Sequence, residues 1–486
     1  MSMRLRKPRR YDANLVVIGA GSAGLVTAYI AAAAKARVVL VEQHRMGGDC
    51  LNTGCVPSKA LIRAARVAHD IRRAGDFGLR AGGVEADLAA VMRRVQGVIA
   101  QVEPHDSVER YTGLGVECVR GQARLLSPWE VAVGDRRITT RAIVIASGGE
   151  PALPDIPGLA TAEALTSDSV WSLATLPPRL AILGGGPIGC EMAQAFARLG
   201  SRVTLLQSRA RLLPREDADV GALLAQRFAA EGIEVLTGAQ ARRIEPDGRG
   251  GSLRVAHAGA ERDIGYDRLL VAAGRRARVA GLGLEELGIA LRADGTIATD
   301  EYLRTSQPNI YACGDVTGPY QLTHAAAHQA WYAATNALFG SFRRFRVDYR
   351  VLPWAVYTEP EVARVGLNEA EAAAQGIRVE VTRFGIDELD RAIADGAAEG
   401  FVKVLTPPGS DRILGVTSVG PQAAETMAEL VLAMRHGLGL RKVLGTVHSY
   451  PTLAEANKYA AGAWQRAHLP AALLRLAGQW HRWRRG

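Results

Sequence analysis

Short, unbroken apolar runs recur along the first two thirds of the chain, at residues 15–18, 38–41, 142–146, 180–183, 203–206, 269–273 and 310–312. Runs this short, with no polar alternation and with glycine or an acid at their ends, predict strands buried on both faces, as in a sheet flanked by helices. Between them, residues 59–110 predict helix with a turn-rich interruption near 75–83. Pro151, Pro154, Pro157 and Gly158 mark a crossing between domains. From about Arg350 the texture changes to short strands and helices, starting at Trp354. This predicts a separate α+β domain running to about Ala467.

Two of the apolar runs lead into the same glycine arrangement. The first is followed by Gly19, Gly21, Ser22 and Gly24, and the next run ends in Glu42. Strand, tight turn, helix start and a second strand ending in an acid together predict a dinucleotide site. The glycines let a pyrophosphate approach the helix N-terminus, and Glu42 binds ribose hydroxyls. A purely structural turn explains less, because it leaves the placed acid unaccounted for. The second arrangement is Gly184, Gly186 and Gly189, but its second strand leads to Gln207, with Arg209, Arg211 and Arg215 beyond. A missing carboxylate and nearby guanidinium groups suit a 2′-phosphate, so NADPH is expected there. NADH and an arginine-rich surface loop are the alternatives. Later runs end at Gly274 and at Cys313-Gly314-Asp315, where Asp315 suits either a polyol chain or a helix cap.

The stretch from Gly47 to Lys59 carries the candidate chemistry. Cys50 and Cys55 are separated by four residues, Gly47 and Gly48 precede them, and Pro57 suits the first turn of a helix. Such a loop can close a small disulfide whose second sulfur sits at a helix N-terminus, where a thiolate is stabilised. Two unrelated buried cysteines or half of a zinc site are the alternatives. Zinc needs further ligands, and Cys118, Cys190 and Cys313 stand alone and far apart. The redox-active pair is preferred, and no resident metal is expected.

Composition narrows the class. A chain of 486 residues, 48% hydrophobic and 22% charged, predicts a soluble protein of two to four domains. The net charge of +10 is spread along the chain, with clusters only at residues 4–10 and 482–485, and no recognition motif for nucleic acid accompanies it. Five cysteines in so long a chain exclude a secreted disulfide framework. No signal-peptide pattern and no run of ~20 apolar residues occurs, so a reducing cytoplasm is expected. Residues 468–486 form a basic amphipathic tail with Leu473, Leu474, Leu476, Trp480 and Trp483. Packing against its own protein is preferred over a membrane-surface role for this tail.

Taken together, these segments resemble the class I pyridine nucleotide–disulfide oxidoreductases over nearly the whole chain. That family includes dihydrolipoamide dehydrogenase, glutathione reductase and mercuric reductase. The matching positions are Gly19 to Gly24 with Glu42, Gly48 through Cys50 and Cys55 to Lys59, Ser147-Gly148-Gly149, Gly184 to Glu191, Ala273-Gly274-Arg275, Cys313-Gly314-Asp315, and Pro451-Thr452 with Glu455. The resemblance implies an α/β fold with two Rossmann-like domains, FAD-binding at 1–155 and 276–349 and NAD(P)-binding at 156–275. A C-terminal α+β dimerisation domain at 350–467 and the tail at 468–486 complete it. It implies a homodimer whose active site is completed by the second subunit. It further implies that NADPH reduces FAD and that FAD reduces a Cys50–Cys55 disulfide. Cys55 is then the thiolate against the flavin, Cys50 the exchanging thiol, and Lys59 and Glu191 a pair beside the flavin.

The departure lies near the end. Thiol reductases of the family carry His-Pro-Thr with a glutamate downstream, whereas this chain reads His448-Ser449-Tyr450-Pro451-Thr452, with Glu455 placing Tyr450 in the general-base position. A tyrosine of pKa ~10 is a poor base near neutrality, so a dithiol substrate is disfavoured unless His448 swings in. Mercuric reductases resemble the chain more closely here. Yet no cysteine follows Cys313 and little sequence precedes Asn14, so a branch without metal-delivery apparatus is expected. Its acceptor is a metal ion, a quinone or a small disulfide. Dihydrolipoamide dehydrogenase and a low-turnover flavin/disulfide sensor are the competing functions.

Overall fold

A computed structural model describes residues 7–486, so Arg4 and Arg6 of the N-terminal basic cluster lie outside the described residues. The chain divides into two compact units. One comprises Met1–Ser208 with Glu231–Asp348, the other Arg209–Ala230 with Tyr349–Gly486.

In the first unit the strands Ala13–Ile18, Val38–Glu42, Val116–Arg120, Arg136–Ile145 and Ile310–Ala312 pair in parallel. Val16 lies level with Val39 on one side and Ile143 on the other. Leu15, Val17, Leu40 and Val144 face one core, shared with Ala28 and Ala333 of the covering helices. Val16, Ile18, Val39, Ile143 and Ile310 face the opposite core. Both faces are dry, which is why the runs show no polar alternation. A second parallel sheet has the order Glu234–Thr237, Arg202–Gln207, Arg179–Leu183, Arg268–Val271. Leu183, Leu206 and Val271 pack with Leu253, Val255 and Tyr266 of an antiparallel three-stranded sheet. The expected pair of Rossmann-like sheets is present.

The second unit is built on an antiparallel sheet ordered Pro353–Val356, Glu361–Gly366, Gly415–Gly420, Phe401–Thr406, Glu380–Gly385. Ala363, Val365, Val402, Val404 and Val416 form one core with Leu430 and Trp464. The alternate positions put Arg364 and Lys403 level with Thr417. Both cations are buried, at 1% and 2% exposure. Carboxylates of the 209–230 segment neutralise them. Glu216 lies 2.9 Å from Arg364, and Asp217 and Asp219 lie 2.8 and 3.0 Å from Lys403. Burial pushes the Glu216 carboxyl up in pKa, with Arg364 working against the shift.

Residues 471–485 of the tail form a regular helix with no buried residue, which leaves its apolar side chains exposed within one chain. Among the described residues, no helix is long and apolar enough to cross a membrane.

Candidate active site

Each dinucleotide turn is a backbone-on-backbone contact that only glycine permits. Gly19 has φ +99° and Gly184 φ +111°, and a Cβ on either would sit 2.4 or 2.3 Å from the carbonyl of Ala146 or Ala272. A Cβ on Gly24 or Gly189 would fall 1.7 or 1.8 Å from the carbonyl of Gly19 or Gly184. Helices Ser22–Ala33 and Pro187–Leu199 therefore start hard against their strands, with their N-terminal N–H groups turned to the loop. Glu42 ends its strand and accepts hydrogen bonds from the amides of Ala20 and His44, both at 2.7 Å. These features fit a dinucleotide diphosphate at each turn, with a ribose beside Glu42.

The cysteine loop rests on the first turn. Gly48 has φ +56°, and a Cβ there would lie 2.6 Å from the Cα of Gly21. Cys50 belongs to the short helix Gly48–Asn52, and Cys55 opens the helix Cys55–Arg72. Both are thiols in this structure, Cys55 exposed and Cys50 partly covered. A hydrogen bond from Cys50 is the main cause that lowers the Cys55 thiol to about 6. The Thr323 hydroxyl, 3.2 Å away, and the Lys59 charge act the same way, while burial and Glu191 oppose them. The same bond, followed by burial and the Cys55 charge, pushes Cys50 far up. Lys59 is held by Glu191 at 2.7 Å. The loop thus pairs a thiolate at a helix N-terminus with a protonated neighbour that donates to it.

This arrangement makes a prediction. In the dithiol form, alkylation of Cys55 by iodoacetamide should show an inflection near pH 6, because a lowered pKa keeps the thiolate populated above that value. Cys50→Ala removes the donor and should move the inflection upward, toward the ordinary cysteine value of ~8.5. An unchanged inflection would show that the hydrogen bond does not set the thiolate.

Residues given no role from the sequence, Asp49, Arg278 and Trp171 among them, brace the loop together with positions named above. Asp49 pairs with Arg275 and, at 3.4 Å, with Arg278. Arg275 also reaches Asp315 at 3.4 Å, and burial raises the Asp315 carboxyl despite that guanidinium. The indole of Trp171 donates to the Thr53 carbonyl at 2.9 Å. Ser147 donates to the Arg278 carbonyl at 2.7 Å, next to Gly148 with φ +73°; Gly274 has φ +133°. Asp49 and Arg275 stand inside the recognised motifs. Nothing local ties Thr323 to Cys55 in the sequence.

The other candidates are distributed as follows. Gln207 ends its strand and is buried, while Gly186 faces open space. Arg209 and Arg215 are exposed residues of the second unit, and the Arg215 carbonyl accepts from Asn368 at 2.9 Å. Also in that unit, Tyr450 is exposed and donates to Asp390 at 3.0 Å, a bond that raises its pKa. His448 is committed to Glu429 at 2.9 Å and to the Thr446 carbonyl at 3.0 Å. Glu455 is buried and accepts from the Thr452 amide at 3.2 Å and the Tyr459 hydroxyl at 3.4 Å. Tyr450 and Glu455 therefore hold separate hydrogen-bond partners. No cluster of three or more metal-ligating side chains occurs among the described residues.

Comparison with known proteins gives a consistent outcome. Residues 13–330 match the family model described as pyridine nucleotide-disulphide oxidoreductase, and residues 352–461 match that of its dimerisation domain. A dihydrolipoyl dehydrogenase of Thermus scotoductus is 38% identical over 94% of this chain and 97% of its own. A mercuric reductase of Acidithiobacillus ferrooxidans is 36% identical over 94% of this chain and 83% of its own. Among solved structures, the Cu(II) complex of the HOCl-induced flavoprotein disulfide reductase RclA from Escherichia coli superposes with a TM-score of 0.81. It is 28% identical and covers 94% of this chain and 99% of that one.

Proposed function

Because the chain belongs to the pyridine nucleotide–disulphide oxidoreductase family, we propose that it is an FAD-dependent, NADPH-oxidising enzyme of the mercuric reductase-like branch. Its Cys50–Cys55 pair delivers electrons to a metal ion, a quinone or a small disulfide. The observation that carries the choice of branch is Tyr450, whose hydroxyl is spent on Asp390 and raised in pKa. A general base for a dithiol substrate is therefore missing at that position.

FAD would be held by the Gly19–Gly24 turn with Glu42 at its ribose, and when bound it would supply the two-electron chemistry linking a nicotinamide to the sulfur pair. The chain's own residues do the rest. A hydrogen bond from Cys50, the Thr323 hydroxyl and the Lys59 ammonium fixed by Glu191 hold Cys55 as thiolate. Cys50 keeps its proton until the acceptor engages it. The S–S bond then forms, two electrons leave with the acceptor, and the Cys50 proton goes to the acceptor or to water. The match at 352–461 supports a homodimer whose second copy completes the site. We place the protein in the cytoplasm.

The test is NADPH oxidation against Hg(II), Cu(II), a benzoquinone, an aromatic disulfide and lipoamide, for wild type and Tyr450→His. Wild type should prefer the metal ions or quinone, and the histidine should raise disulfide or lipoamide turnover by about 10²-fold, the lower bound for a placed general base. Relatives named dihydrolipoyl dehydrogenase, 36% and 38% identical, support a second reading, dihydrolipoamide oxidation, as the mercuric reductase at 36% supports the first. Robust NAD-dependent oxidation of dihydrolipoamide by wild type would install that reading instead. Nucleotide choice has its own check. Gln207→Glu should cut the NADPH:NADH ratio of kcat/KM by about 10-fold or more, since a charge-assisted contact is worth roughly 1.5–3 kcal/mol. An unaltered ratio would remove Gln207 from specificity.

A further inference from the structure

We propose that the helix Ala471–Arg485 seats the protein on an anionic lipid surface. Leu473, Leu476, Trp480 and Trp483 follow one another at spacings of three, four and three, which lines them along one side of the helix. They are 56%, 61%, 53% and 72% exposed, and the two indoles lie 5.0 Å apart. Arg475, Arg482 and Arg485 fall on the opposite side, while Arg484 sits at the edge of the stripe, 6.0 Å over the Trp480 ring.

The occupant is argued from charge and side-chain type. After Glu455 the chain carries no acid but six cations: Lys458, Arg466, Arg475, Arg482, Arg484 and Arg485. Cations in the last turn also complement the helix dipole, yet that accounts for neither Arg475 nor the apolar stripe. Two tryptophans on the apolar side and arginines on the other match the interface of a bilayer, where indoles sit at headgroup depth and guanidinium groups meet lipid phosphates. Nucleic acid leaves the leucine–tryptophan stripe unused. At 15 residues the helix is ~22 Å long, too short to span a bilayer, so it lies in the plane of the surface. The helix also stands past residue 461, where the family match ends, and none of the candidate redox residues belongs to it.

The experiment uses the full-length, FAD-loaded protein with vesicles of phosphatidylcholine alone or mixed with phosphatidylglycerol. Cosedimentation and a blue shift of tryptophan emission report binding. The protein should bind the mixed vesicles, and Arg482→Gln/Arg484→Gln/Arg485→Gln should weaken binding by on the order of 100-fold, about five-fold per arginine. Trp480→Ser/Trp483→Ser should abolish both binding and the blue shift, with NADPH oxidation unchanged in either variant. Equal binding to both vesicle types, or unchanged binding by both variants, overturns the proposal. So does a vesicle-free tryptophan emission already blue-shifted in wild type relative to Trp480→Ser/Trp483→Ser, which would show the two indoles covered within the protein itself.

Discussion

Cys55→Ser should lower NADPH-driven reduction of any acceptor that draws on the dithiol by at least about 10³-fold, the scale on which loss of a covalent nucleophile acts. NADPH consumption by a one-electron dye reacting directly at the flavin should persist. The reason is local. Cys55 alone among the five cysteines has a thiol lowered in pKa, whereas Cys190 and Cys313 are buried and raised. A serine hydroxyl receives the same hydrogen bond from Cys50 and the same field from Lys59, but it does not ionise near neutrality. Steady-state assays with one metal-ion and one disulfide acceptor, run alongside the dye, make the comparison. Retention of full acceptor turnover would take the sulfur pair out of the mechanism.

The second large effect concerns folding. Arg364→Ala should destabilise the second unit by about 3–5 kcal/mol, because it strands the buried Glu216 carboxylate. It also removes a guanidinium 4.1 Å above the Trp354 ring and its contact with Glu371 at 2.7 Å. Spread over a unit of this size, that is on the order of 10 °C in midpoint. Arg364→Met combined with Glu216→Leu should recover much of the loss, since paired apolar replacements of a buried ion pair are often close to neutral. Thermal denaturation of the three proteins, each loaded with FAD, measures both effects. A single mutant that melts with wild type would show the pair to be hydrated and weak.

The contrast between legible and hidden features follows from sequence distance. The glycine turns, the apolar strands and the Cys50/Cys55 spacing each carry their whole signal within a few residues, so they are readable from one chain. The Asp49–Arg275 pair and the Thr323 hydroxyl depend on segments brought together by the sheets, and no periodicity announces them. Arg364 and Lys403 mislead in a particular way. Each alternates with apolar residues in its strand, which ordinarily marks a wet face. That face is instead covered by Glu216, Asp217 and Asp219. In residues 471–485 the amphipathic pattern shows that one side seeks an apolar neighbour without saying which body supplies it.

Where Gly48 meets Gly21, main chain rests on main chain. A span fixed in that way is not lengthened or shortened by any change of rotamer, so every variant that folds inherits the same reach from the cofactor seat to the sulfur pair. On the proposed reading, a substitution at Tyr450 changes which acceptor is served and leaves that span as it is.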